Sequence, residues 1–221
     1  MKINHFNFVS IIVFYKPDLK SFKKIFKSHL LNFQNIILVN NSPEISLHTF
    51  KSPQVTIINN PGNIGLAAAF NIGILKAKKQ GFNMVALFDQ DTEIPSNFTK
   101  KMLNYINNYK CFAPVALYAP IFNNRVTDKS QRYNNYKPSR LIPELVDEID
   151  YSHPNYVISS GSLIPMDVID DVGLMCEELF IDFVDTEWCL RARRKGYEIV
   201  AINKVKIDHY LGDYMVQFMG R

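Results

Sequence analysis

A chain of 221 residues, 47% hydrophobic and 21% charged, has ordinary globular composition and enough apolar material for one sizeable core. A formal charge of +4 and an isoelectric point near 8.8 suit an anionic ligand or membrane surface but lie far from the signature of a nucleic-acid binder. No apolar run approaches the roughly 18 residues of a membrane span, and Lys2 and His5 open no signal-peptide pattern, so the expectation is a cytoplasmic chain that does not cross the bilayer.

The first half alternates strand and helix signals. Phe8 to Phe14 is a β-branched apolar run, after which Lys16-Pro17-Asp18 breaks the strand and opens a helix through Phe22, Ile25, Phe26 and Leu30. Asn35 to Val39 reads as a second strand stopped by Asn40-Asn41-Ser42-Pro43, and Gln54 to Ile58 as a third. Asn60-Pro61-Gly62-Asn63 makes a turn before an alanine-rich helix from Ile64 to Lys79, ended by Gly81. Met84 to Phe88 is the fourth strand. Such alternation implies parallel crossovers and a sheet covered on both faces, hence an α/β class.

From residue 122 to 155 the chain turns polar, with Arg125, Lys129, Arg132, Lys137 and Arg140 followed by Glu144, Asp147, Glu148 and Asp150. That stretch is expected to be a long loop, functional or merely solvated. Tyr156 to Ile164 reads as a strand interrupted by small residues, where a glycine marks close approach of a ligand or another backbone. Leu179 to Arg194 reads as a helix capped by Asp182 or Asp185, with a basic last turn and Gly196 as its stop. Tyr197 to Ile202 is the last strand predicted. Cys111, Cys176 and Cys189 show no metal-ligand spacing and are expected to be reduced, buried thiols.

The fourth strand ends in Asp89-Gln90-Asp91. Two carboxylates one residue apart at a sheet's carboxyl edge suit a hard cation and a diphosphate, although Asp is also a common turn and helix-cap residue after strands and the motif alone is weak.

Several segments together resemble the family 2 glycosyltransferases with the GT-A fold, and their wording is similar to the bacterial rhamnosyltransferases of that family. They are Phe14 to Asp18, Asn63 to Gly73, Phe88 to Asp91, Ser159 to Ser162, Phe180 to Arg191, and His209-Tyr210-Leu211-Gly212-Asp213, in the family's order over nearly the whole chain. The resemblance implies a single domain over 1–221 with a GT-A nucleotide-diphospho-sugar transferase fold, a mixed, mostly parallel sheet flanked by helices. About 1–110 would bind the nucleotide sugar and about 111–221 the acceptor. Related rhamnosyltransferases continue beyond the His-Tyr-Leu-Gly-Asp region, so a C-terminal extension is expected to be missing here.

Site roles follow from the same likeness. Tyr15 either stacks on a pyrimidine or packs in the core, and Asn40 stands where the family often has an acid that reads the base or ribose. Asn63 and Gly65 meet a helix N-terminus whose N–H groups suit an anionic donor, or they serve as cap and close-packing residues. Asn71 is implied to line the donor pocket. Asp91 is implied to ligate Mg²⁺ or Mn²⁺, with Asp89 on the donor sugar or ribose and His209 joining the metal or diphosphate. Phe-Val-Asp-Thr-Glu-Trp-Cys-Leu-Arg lines up with the family's FEDxDLCLR, making Asp185 the base of an inverting transfer, with Asp182 and Glu187 as second candidates. Ser160, Gly161 and Trp188 fall on the acceptor side. The implied partners are a nucleotide sugar, dTDP-L-rhamnose by the detailed wording, and a glycan or lipid-linked glycan acceptor, with peripheral contact at the inner face of the membrane. The competing readings are a transferase using a UDP-hexose, a nucleotidyltransferase, and a non-catalytic nucleotide-sugar-binding module.

Overall fold

The computed structural model describes residues 7–111, 113–124, 129–130 and 149–209. Four parallel strands form its first half: β1 (Phe8–Phe14), β2 (Ile36–Asn40), β3 (Val55–Asn59) and β4 (Met84–Asp89), in the order β3-β2-β1-β4. β1 and β4 are apolar almost without interruption because both of their faces are covered. Between them run α1 (Leu19–Asn32), whose N-cap Asp18 accepts from the N–H groups of Lys20 and Ser21, and α2 (Leu66–Lys79).

The second half adds α3 (Phe98–Asn108), β5 (Val115–Asn124), β6 (Lys129–Ser130), β7 (Tyr151–Ser152), β8 (Ser162–Pro165), α4 (Met166–Val172), α5 (Val184–Arg194) and β9 (Glu198–His209). β8 inserts antiparallel between β4 and β5, and β9 pairs parallel to β5. Alternate residues of β1 divide the core. Val9, Ile11 and Val13 face α2, α4 and α5, whereas Ile12 and Phe14 face α1 and α3. Each such side chain, fully buried, contributes about 1.5–3 kcal/mol.

Several sequence expectations are corrected. Residues 156–161 are not strand, because Gly161 turns the chain at φ +83 and β8 starts only at Ser162. The segment 122–155 is ordered at both ends: β5 continues through Asn124 and β7 pairs with β9, while 125–128 and 131–148 lie outside the described residues. Helix α5 begins at Val184, and its N-cap Phe183 is left-handed, so neither Asp182 nor Asp185 occupies the cap. Cys189 is buried, Cys176 partly so, and Cys111 is exposed in the connection from α3 to β5. No helix among the described residues is long and apolar enough to cross a membrane.

Candidate active site

In a sheet ordered β3-β2-β1-β4 the chain runs from β1 outward through β2 to β3 and then crosses back to β4 on the other side of β1, and a crevice opens at the carboxyl ends of β1 and β4. Tyr15 and Gln90 stand at this point. The Gln90 side chain accepts from the Tyr15 N–H at 2.7 Å and donates to the Tyr15 carbonyl at 2.9 Å. An amide thereby substitutes for a further residue of strand pairing, and Tyr15 is 40% exposed at the rim rather than buried in the core.

Asn40, expected at the base edge, is buried. Its amide donates to the Ile45 carbonyl and Asn59 Oδ1 and accepts from the Ser42 N–H, bonds that hold the turn after β2. Asn63 is exposed, and its Oδ1 accepts from the Gly65 N–H at 3.0 Å. The expectation of free donors at the α2 N-terminus is corrected. The Phe180 carbonyl accepts from the Leu66 N–H at 2.6 Å and the Ala67 N–H at 3.2 Å. Gly65 permits this approach, since a Cβ there would lie 2.8 Å from the same carbonyl at φ +87. Asn71 is also buried and acts as a bracket: it accepts from the Met175 N–H and donates to the Met175 carbonyl and Glu177.

Asp89 and Asp91 are half-buried at the end of β4. The Asp89 N–H donates to Ser160 Oγ at 2.9 Å, and the Ser160 hydroxyl donates to Asp89 Oδ2 at 2.7 Å. That uses the one Ser160 proton, so at the 2.9 Å contact between Thr92 Oγ1 and Ser160 Oγ the threonine donates. Sequence reasoning missed Gln90, Thr92 and His29. His29 is buried on the apolar face of α1, donating from Nε2 to the Thr92 carbonyl at 3.2 Å and meeting Ser10 Oγ with Nδ1 at 3.4 Å. Burial pushes its pKa down to about 4, which keeps the ring neutral beneath the Asp89–Thr92 segment. Its signal was the spacing from Phe22, Ile25 and Phe26.

Just past the acids, Glu93 exchanges both backbone hydrogen bonds with Asp208, at 2.9 and 3.0 Å. The backbone of His209 follows directly and ends β9, whereas its side chain and residues 210–213 lie outside the described part. Two carboxylates beside a strand that delivers a histidine form a hard, mostly oxygen donor set, which fits Mg²⁺ or Mn²⁺. Among the described residues, which leave out the His209 side chain, no three metal-ligating side chains cluster.

Asp185, in the first turn of α5, is half-buried. Its Oδ2 accepts from the Ser159 N–H at 3.2 Å and its Oδ1 from the Thr186 N–H at 2.7 Å. Burial raises its pKa, with those N–H groups opposing the shift. The two alternatives sit differently. Asp182 is exposed, and Glu187 is locked in a two-point pair with Arg191, both bonds 2.8 Å, while Arg191 also donates to the carbonyls of Val172 and Leu174. Trp188, expected to face an acceptor, is only 1% exposed and donates Nε1–H to the Gly173 carbonyl at 2.8 Å; it anchors α5 to α4. Ser160 is likewise buried, and Gly161 presses against Pro120, where a Cβ would meet Cγ at 2.6 Å.

A family profile described as Glycosyl transferase family 2 matches residues 11–173, from β1 to the residue after α4, and so ends before Asp185. The sequence is 35% identical over 223 aligned residues to the dTDP-rhamnosyl transferase RfbF of Shigella flexneri, covering 97% of this chain and 72% of that protein. The fold is similar to a crystal structure of GalNAc-T7 with UDP, GalNAc and Mn²⁺, at a TM-score of 0.70 and 14% identity over 95% of this chain. It is also similar to S. aureus TarS, at 0.67 and 12% identity over 92%. The chain spans 44% and 36% of those two structures, less than half of either. At such identities the likeness shows the fold alone, and that fold is the GT-A arrangement the sequence implies.

Proposed function

We propose, from the premise that the chain belongs to glycosyl transferase family 2, that it moves L-rhamnose from dTDP-L-rhamnose onto a cell-surface polysaccharide precursor with inversion at the anomeric carbon. The observation that carries the donor is the 35% identity to a dTDP-rhamnosyl transferase across 97% of the chain. The fold adds a crevice at the β1/β4 switch, where open α/β sheets take their ligands.

Asp185 is the proton acceptor in this reading. Its carboxylate takes the proton of an acceptor hydroxyl as that oxygen bonds to the anomeric carbon, and the bond from that carbon to the nucleoside diphosphate breaks on the opposite face. Partial burial favours this role, because a carboxylate that is costly to keep charged holds a proton more strongly. The N–H groups of Ser159 and Thr186 aim both oxygens before the acceptor arrives. Tyr15, held by Gln90, offers the donor's base an exposed ring, and the Ser160 bond fixes Asp89 for the ribose or sugar.

A divalent cation held by Asp91, with Asp89 and His209 in support, would supply Lewis-acid neutralisation of the departing diphosphate, and the Mn²⁺ in the GalNAc-T7 structure supports that assignment. The deciding experiment is donor-selective turnover. Hydrolysis or transfer from dTDP-L-rhamnose should exceed that from UDP-glucose, UDP-galactose and UDP-N-acetylglucosamine, since a 6-deoxysugar pocket leaves a hexose 6-hydroxyl poorly paired. Equal turnover with a UDP-hexose overturns the rhamnosyl donor and keeps the family.

A further inference from the structure

Helix α1 has two unlike faces. Phe22, Ile25, Phe26 and His29 are buried on the sheet. The opposite face carries Lys20, Lys23, Lys24, Lys27 and Leu31 within an arc of about 100°, at 3.6 residues per turn. All five are exposed, and Leu31, in the middle of that arc, is exposed to 73%. α3 lies alongside: the Asn32 side chain accepts from the Thr99 N–H at 3.2 Å and donates to the Pro95 carbonyl at 2.9 Å. It adds exposed Lys100 and Lys101, and neither helix contains an acid. Asp18, tied to Ser21, and Glu93, bonded to Lys24, are acids at the margins of this flank.

The other sheet face is balanced. α4 and α5 bring Asp167, Asp170, Asp171, Asp185 and Glu187 beside the basic residues of α2 and α5, and Lys78–Asp170, Lys195–Asp171 and Arg191–Glu187 are ion-paired. The excess positive charge of the described fold is therefore gathered on one flank. We propose that the α1–α3 flank docks the protein on an anionic phospholipid bilayer, with its lysines at the headgroup phosphates and Leu31 in the interface.

A bilayer suits these residues better than a nucleic acid. The two helices offer lysine point charges without an arginine fork, and an exposed leucine gains by entering the boundary between headgroups and acyl chains. Asp18, at the start of α1, lies three residues from Tyr15, so a docked flank would hold the rim of the crevice beside the membrane. The proposal does not depend on the donor sugar.

The test is co-sedimentation of the chain with vesicles of equimolar phosphatidylcholine and phosphatidylglycerol, against vesicles of phosphatidylcholine alone. Binding is expected to the anionic vesicles only and to vanish at high salt. Lys20→Glu/Lys23→Glu/Lys27→Glu should weaken it about 10²-fold or more, because each lysine near such a surface contributes roughly 5-fold. Lys76→Glu/Lys78→Glu/Lys79→Glu on α2 changes the net charge equally and should keep most of the binding. Should the first triple variant melt early, the corresponding Lys→Gln triple, expected to lose about 10²-fold, and Leu31→Ser, expected to weaken binding without a charge change, decide the matter. Absence of binding by the wild type, equal loss in both Glu triples, equal binding to neutral vesicles, or stronger retention on duplex DNA overturns the proposal.

Discussion

The Ser160 hydroxyl donates to Asp89 Oδ2 at 2.7 Å and accepts from the Asp89 N–H at 2.9 Å, while the preceding residue, Ser159, gives its N–H to Asp185 at 3.2 Å. One dipeptide therefore registers an acid from the first half of the chain against an acid from the second. Ser160→Ala removes the partner of the Asp89 N–H, the Asp89 carboxylate and the buried Thr92 hydroxyl, which should cost about 1–3 kcal/mol of stability. It should also lower Mn²⁺-dependent dTDP affinity by roughly 10–100-fold, the usual effect of losing a group that orients a metal or donor ligand. Calorimetric titration and urea unfolding of the variant read both quantities. Unchanged nucleotide affinity would detach Ser160 from the site.

The Phe180 carbonyl that caps α2 comes from a strained residue. Phe180 has φ 58 and ψ −67, and the Ile181 N–H reaches the Leu179 carbonyl at 2.6 Å, the rare form of γ-turn. Phe183, also at positive φ, is 72% exposed. Gly65→Ala would place a methyl against that carbonyl at a φ that disfavours alanine, so stability should fall by about 2 kcal/mol or more. Urea midpoints measure this. A neutral Gly65→Ala would mean that the 180–183 segment moves aside freely.

The first four strands were legible because each is a short β-branched run bounded by Asn, Pro or Gly, and their ends fell within about a residue or two of the observed ones. Helix α3 was not assigned, although Phe98, Met102 and Ile106 form a stripe, because that stripe is narrow and lies among Asn, Lys and Tyr. The insertion of β8 between β4 and β5 was out of reach, since it depends on pairing between residues some eighty positions apart. The same limit hid the bonds of Ser160 and Gln90. Trp188 misled for another reason: one turn after Asp185, it shares that residue's side of α5, but its ring fills the core and its Nε1–H ends on the Gly173 carbonyl, whereas the carboxylate is held by the Ser159 N–H.

Neutral His29 makes stability pH-dependent. Its folded pKa of about 4 lies below the ordinary 6.5, so the unfolded chain binds more protons between these values. Its stabilising contribution is whole above pH 6.5 and lost as pH falls towards 4; between neutral pH and pH 5 the loss is about 2 kcal/mol. Urea unfolding of wild type and His29→Gln across that window should show a flatter dependence in the variant, together with a lower starting stability because the Thr92 carbonyl loses an aligned donor. Parallel curves would contradict a buried neutral imidazole.

Asp185→Asn keeps an oxygen for the Ser159 N–H but cannot take a proton, so transfer should fall by roughly 10²-fold or more while donor affinity stays near wild type. The pH dependence of kcat checks the same assignment. Burial raises the Asp185 pKa, so the acid limb of the wild-type profile should lie above the range of an ordinary aspartate and disappear in the variant. Asp182→Asn and Glu187→Gln separate the alternatives. Asp182 is exposed and its variant should stay active, whereas Glu187→Gln weakens the clamp of Arg191 on the chain after α4 and should lower stability more than turnover. A nearly active Asp185→Asn beside an inactive Asp182→Asn would move the base to Asp182, one turn of chain earlier.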